Sequence, residues 1–251
     1  MKYSLSARIL ETKELTENLK SGIRPNFKEF ANLASDCGFD GVNLRFWQLD
    51  SKTVSSSEII AIKETLKKNN LKVFVMQGTI NKEFIERGKL LGAKIIQSMP
   101  TAENMELVPP DMRVAMQMHT GGDFETIADC IKSFATKYSD PRIGIFPEPG
   151  NLQLVGEKFT EDMFSPIKDR IFGYFFQSLE VISIGLKNDQ KAKFRRVSPW
   201  ENTQLDMSLF ARAIKKCNTG EFFNINEPPP VNYEPKEFLL KTLNFIKGAG
   251  I

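Results

Sequence analysis

The feature that most constrains this chain is a strand-sized apolar run followed by a helix-sized pattern, repeated along its length. Candidate strands occupy residues 3–8, 41–46, 72–77, 93–99, 113–119, 142–147, 171–178 and 222–227. All are short, and most are rich in Val, Ile, Phe and Met and run apolar on both faces. Strands of that kind are covered on both sides, which points to a parallel sheet with right-handed crossovers. Helical patterns fall between them at 26–37, 57–70, 82–91, 124–138, 160–168, 206–216 and 235–247. Asn26 stands as a cap before the first, and a Ser-Ser-Glu opening suggests a capping box for the second, with Ile59, Ile60, Ile62 and Leu66 on one face. Residues 101–112 contain Pro109-Pro110 and are too short for a full helix, so a loop or a single turn is expected there. Eight such units in 251 residues, ending on a helix, fit one closed α/β fold, a single (β/α)8 TIM barrel spanning 1–251, better than an open sheet.

Composition narrows the class of function. With 34 basic and 31 acidic side chains spread along the chain, the net charge of +3 offers no concentrated patch for nucleic acid or a membrane surface. The short cluster Lys191-Ala192-Lys193-Phe194-Arg195-Arg196 reads as a solvated basic loop after the seventh strand, where a phosphate or carboxylate can also be met. Cys37, Cys130 and Cys217 match no metal or redox spacing. Residues 1–8 run into a strand-like alternation rather than a secretory leader, and no apolar stretch reaches membrane-spanning length. The expectation is a cytoplasmic protein with reduced thiols.

In a parallel barrel the chemistry sits where strands hand over to loops. The only histidine, His119, stands at such a place, before Gly121-Gly122, and Gln117 shares its face two residues earlier. Glu148 and Glu227 end the sixth and eighth strands, which are otherwise apolar. An unpaired carboxylate is costly to bury there. The seventh strand ends on Gln177, the second on Arg45 and the third on Gln77. Two carboxylates, an imidazole and amide oxygens at one mouth can hold Mn²⁺ or Mg²⁺. The metal set read here is Gln117, Glu148, Gln177 and Glu227, with His119, Glu148 and Glu227 as catalytic groups and Arg45, Gln77, Asn151 and Trp200 as substrate contacts. Structural roles compete with each of these. Glu148 can cap the loop around Asn151, Glu227 can pair with Arg8 or Arg45, the glutamines can satisfy backbone groups, and Trp200, Trp47 and Phe46 can pack loops onto the barrel.

Gly38-Phe39-Asp40-Gly41-Val42-Asn43-Leu44-Arg45, Glu148-Pro149-Gly150-Asn151 and Asp169-Arg170-Ile171 resemble the phrases around strands two, six and seven of the xylose-isomerase-like barrels of the sugar phosphate isomerase/epimerase group. Gln117-Met118-His119-Thr120, followed by Phe124-Glu125-Thr126, is similar to a subgroup that includes the TIM-barrel subunit of bacterial C-glycoside deglycosidases. Gln177 matches that subgroup's amide at the end of strand seven. The resemblance implies a divalent metal at the mouth and acid–base chemistry on a small-molecule carbohydrate. It also implies a homo-oligomer or, for a deglycosidase-like lyase acting on 3-oxo sugars, a small β-rich partner subunit. The pattern departs from the common one. Gln117 stands where glutamate is usual, Glu148 where aspartate is usual, and Phe175 then Gln177 where histidine is usual; only Glu227 keeps the usual type. A non-catalytic barrel with a degenerate metal site is therefore the third reading.

Overall fold

In a computed structural model of the chain, the described residues are 1–10, 25–118, 127–184, 192–226, 228–230 and 233–251. His119, Glu227, Lys191 and the start of the helix expected from residue 124 lie outside them.

Eight parallel strands make up the main sheet: β1 Lys2–Ser6, β2 Gly41–Leu44, β3 Lys72–Gln77, β4 Ile95–Gln97, β5 Arg113–Gln117, β6 Ile143–Phe146, β7 Tyr174–Phe176 and β10 Phe222–Ile225. Their order is β6-β5-β4-β3-β2-β1-β10-β7. The two ends of this sheet meet. Ile145 and Ile171 form a parallel bridge, Phe172 N donates to Ile145 O at 3.4 Å, and Phe175 N to Pro147 O at 2.9 Å. The ring is thus a closed (β/α)8 barrel, as the eight strand–helix units imply.

Helices α1 Phe27–Asp36, α2 Ser56–Lys68, α3 Lys82–Leu91, α4 Ala102–Leu107, α5 Ile127–Lys137, α6 Pro149–Leu154, α7 Met207–Cys217 and α8 Pro235–Gly248 connect the strands. Local chemistry sets their ends. Asn26 caps α1 by accepting from Lys28 N, and Ser55 with Glu58 forms the capping box of α2. Gly92, in the left-handed region at φ 74°, ends α3. On α2 the buried side chains are Ile59, Ile62 and Leu66; Ile60 is 51% exposed, so it leaves the apolar face expected of it.

Other expectations change. Residues 101–107 do form a short helix, α4, because Thr101 and Asn104 cap each other before Pro109 stops the chain. The helix expected over 160–168 is replaced by turns and a 3-10 helix, Ser165–Arg170. Pro166 lacks an N–H for the intrahelical ladder, and the Arg170 guanidinium donates to Asp140 O and Ile143 O at 2.5 and 2.8 Å, binding this stretch to the loop before β6. Arg195 and Arg196 belong to an antiparallel hairpin, β8 Leu179–Ser183 with β9 Lys193–Arg196, where the sequence predicts a loop. Arg195 donates to Glu180 Oε2 at 2.6 Å.

Two cores result. The larger lies between strands and helices. The smaller fills the barrel and contains Phe74, Val75, Ile95, Ala115, Phe146, Phe172, Phe175 and Phe222. Phe146 and Phe175 stack at 4.5 Å and 9°, and Phe74 and Phe222 at 5.0 Å. Phe74 reaches this cluster beside Val75 because the β2–β3 register shifts by one residue between Val42 and Asn43. No described helix is long and apolar enough to cross a membrane.

Candidate active site

The aromatic interior forms the floor of the site, and the period of two along each strand builds its wall. Two residues beyond Val75, Ile95, Ala115, Phe146 and Phe175 come Gln77, Gln97, Gln117, Glu148 and Gln177. Alternate residues share a face, so five consecutive strand ends present amide or carboxyl groups above an apolar plug. The same step on β10 leads from Phe222 through Asn224 to Asn226, both amides buried. Beneath the rim, Ser4 Oγ lies 3.1 Å from Asn43 Oδ1 and 2.8 Å from Asn224 Oδ1. A hydroxyl carries one proton, so one of these amides satisfies Ser4 through its N–H₂ face instead.

Glu148 is the centre of this wall. It is completely buried and follows Pro147 directly at the start of α6, whose N-cap it occupies without a capping bond from its side chain. Gln117 Nε2 donates to Glu148 Oε2, Gln177 donates to the same carboxylate, and Gln97 Nε2 donates to Gln117 Oε1 at 3.1 Å. Glu148 Oε1 is buried and has no partner among the described residues. Burial pushes the Glu148 carboxyl up to about 7, against the lowering pull of Arg8 and the two amide hydrogen bonds. The group therefore changes protonation state near neutral pH.

The remaining site residues proposed from sequence are placed as follows in the fold. Gln77 and Arg45 lie at the ends of β3 and β2; Gln77 Oε1 is buried without a partner, and the Arg45 guanidinium carbon is 6.0 Å from the Phe46 ring centroid. Asn151 is buried on α6 and donates to Met118 O at 2.5 Å, tying the end of β5 to the start of that helix. Trp200 packs edge-on against Tyr233 at 5.7 Å and tilted against Phe238 at 5.9 Å, a contact that seats a loop on α8. His119 and Glu227 lie outside the described residues. Sequence reasoning did not select Gln97 or Asn226 as site residues, although the same two-residue step from Ile95 and Asn224 marks both.

Of the four positions expected to bind a cation, three are described, and they do not fit a divalent ion. They supply one carboxylate and two amides whose N–H groups are turned onto that carboxylate. Mg²⁺ and Mn²⁺ prefer sites richer in anionic oxygen. Among the described residues no three His, Cys, Asp or Glu side chains come together as a metal site.

No protein-family model matches the chain, and no curated protein sequence is similar to it. Solved structures are similar in fold. A xylose isomerase domain protein from Alicyclobacillus acidocaldarius superposes with a TM-score of 0.70 at 14% identity, covering 99% of this chain and 98% of that one. D-psicose 3-epimerase from Clostridium cellulolyticum H10, solved with D-tagatose, gives 0.70 at 8% identity with 99% of each chain covered. The IolI protein, solved with a zinc atom, gives 0.68 at 15% identity over 100% of this chain and 96% of its own. Closed by the Ile145–Ile171 bridge and covered end to end by these structures, the chain has the xylose-isomerase-like TIM-barrel fold.

Proposed function

We propose that this barrel is an acid–base enzyme that moves a proton beside the carbonyl of a sugar or sugar derivative, as an isomerase or epimerase does. The observation that carries the reading is Glu148: a buried carboxyl at the strand ends, one oxygen fixed by amides and the other without a partner among the described residues. In its neutral form Glu148 donates a proton to a substrate oxygen from Oε1, and in its ionised form it takes one back. Gln117 and Gln177 hold its orientation through both states. The amides of Gln77 and Gln97 are assigned the polarisation of the carbonyl and the stabilisation of the developing enediolate oxygen. His119 is assigned the second acid–base role because it is the chain's one imidazole and follows Gln117 by two residues in sequence. Glu227 is assigned the second carboxylate by the same argument from position. Among structures of this fold are a D-psicose 3-epimerase and a 3-keto-D-glucoside 4-epimerase from E. coli, which supports a carbohydrate substrate.

The test is Glu148→Gln, which keeps the size and hydrogen-bonding capacity of the side chain but cannot carry the proton. Turnover of ketoses and keto-glycosides by the purified protein is expected to fall by about 10²–10⁴-fold with KM within a few-fold. Undiminished turnover removes Glu148 from the chemistry.

A further inference from the structure

Gln117 stands between two strands and meets a different partner on each. Toward β6 its Nε2 donates to Glu148 Oε2, and toward β4 its Oε1 accepts from Gln97 Nε2 at 3.1 Å. The strand register sets up this reach. Gln97 pairs across the sheet with Ala115, and Gln117 pairs with Phe146. Gln117 lies two residues beyond Ala115, and Glu148 two beyond Phe146, so each partner is on the same face and one step higher. The three side chains climb the wall as a diagonal row, each long chain leaning onto the next. Their chemistry gives the row a direction. An ionised carboxylate only accepts, so Gln117 turns its N–H₂ group to Glu148 and leaves its carbonyl facing β4. The oxygen and nitrogen of an amide are nearly alike in size, so shape alone does not stop it from turning end for end. A donor against the carbonyl does, and Gln97 supplies one.

We propose that Gln97 is a positioning residue: its N–H fixes the direction of the Gln117 amide, so that Glu148 Oε2 faces a donor and the exchanged proton is left to Oε1. The consequence for turnover rests on the proton-transfer reading above; the amide direction stands apart from it. With Gln117 reversed, its carbonyl would repel the carboxylate at Oε2. In the neutral form it would draw the proton onto Oε2, away from the oxygen assigned to the transfer. Gln97 acts on this choice through Gln117, and its second N–H remains for the carbonyl role already assigned to it. The position therefore requires a donor. Methionine there would leave the Gln117 carbonyl without its partner, and glutamate, which only accepts when ionised, would claim the Gln117 N–H₂ group for itself.

NMR spectra of the full chain with isotope-labelled glutamine side-chain amides test the proposal, and they need no substrate. The Gln117 signals are identified by their loss in Gln117→Met. In the wild type the Gln117 proton on Glu148 is expected well downfield of its geminal partner, as for an amide held by a carboxylate. Gln97→Met and Gln97→Glu should each collapse that separation. Ser98→Ala, at the next residue and so on the opposite face, should keep it. Gln97→Glu preserves the size of the side chain, so a role in packing alone would leave the Gln117 signals where they are. The same variant is expected to lower kcat about ten- to a hundred-fold with KM within a few-fold. A Gln117 signal without the downfield displacement in the wild type, or one unmoved in Gln97→Glu, overturns the assignment; the first readout needs no variant to fold. Glu148→Gln separates the two claims. If that variant keeps turnover, the proton-transfer reading falls while the amide direction stands; if it loses turnover but Gln117 is unmoved in Gln97→Glu, the reverse holds.

Discussion

Glu148 carries its raised pKa for a simple reason: burial strips the carboxylate of water, and among the described residues Arg8 and the amides of Gln117 and Gln177 offset that loss only in part. The sign of the consequence follows. The folded carboxyl ionises near 7 and the unfolded one near its ordinary value of 4.5, so between these values the folded state holds the extra proton. The contribution of Glu148 is therefore most favourable below about pH 4.5, falls as pH rises to about 7, and then levels at a cost of about 3 kcal/mol. Urea unfolding at pH values from about 5 to about 8 should show Glu148→Gln gaining on the wild type as pH rises. Parallel curves for the two proteins would mean that Glu148 is not strained by burial. The same side chain should impose an apparent pKa near 7 on kcat/KM, absent in any residual activity of Glu148→Gln. At this scale the position of Glu148 and Gln117 at strand ends was legible, because a polar residue closing an apolar strand is a local signal. Trp200 was not, since an aromatic residue packs or binds according to neighbours distant in sequence, here Tyr233 and Phe238.

Among the elements, β6 shows how close packing fixes a sequence. A Cβ added to Gly144 would lie 2.3 Å from the Phe172 ring and 2.6 Å from Arg170 O, at the seam where the barrel closes. The ring could turn, but the carbonyl belongs to the backbone that Arg170 itself anchors. Gly144→Ala is accordingly expected to cost about 3 kcal/mol, read as a lowered midpoint of urea unfolding; an unchanged midpoint would show that the seam is slack. Helix ends were readable from Asn26 and Ser55, because a cap is a contact between residues two or three apart. The β8–β9 hairpin was not readable. Its strands are joined across residues 184–192, and its inner register rests on pairs such as Glu180 with Arg195, which no local period announces. The 3-10 turn at Ser165–Arg170 escaped for a related reason: an apolar spacing compatible with a helix was overridden by Pro166 and by the carbonyls that Arg170 reaches.

For the molecule as a whole, the substitution of amides for charged donors at Gln117 and Gln177 changes what the mouth can hold. Activity is expected to persist after dialysis against a chelator, and elemental analysis of protein purified without chelator should find no stoichiometric divalent metal. A bound metal whose removal abolishes turnover would show that the mouth has a charged donor set beyond the described residues. The architecture itself was written in the sequence, because eight apolar strands alternating with helices leave a parallel sheet few ways to cover both faces, and 251 residues suffice to close it. Residue order also fixed which side chains end the strands. Only the folded chain decided which of those ends meet. The Gln97–Gln117–Glu148 chain and the buried Oε1 of Glu148 depend on barrel stagger and on the aromatic floor beneath them. Both arise from packing among residues far apart in sequence, where burial and the loss of water set the chemistry of a carboxyl that the sequence can place but not tune.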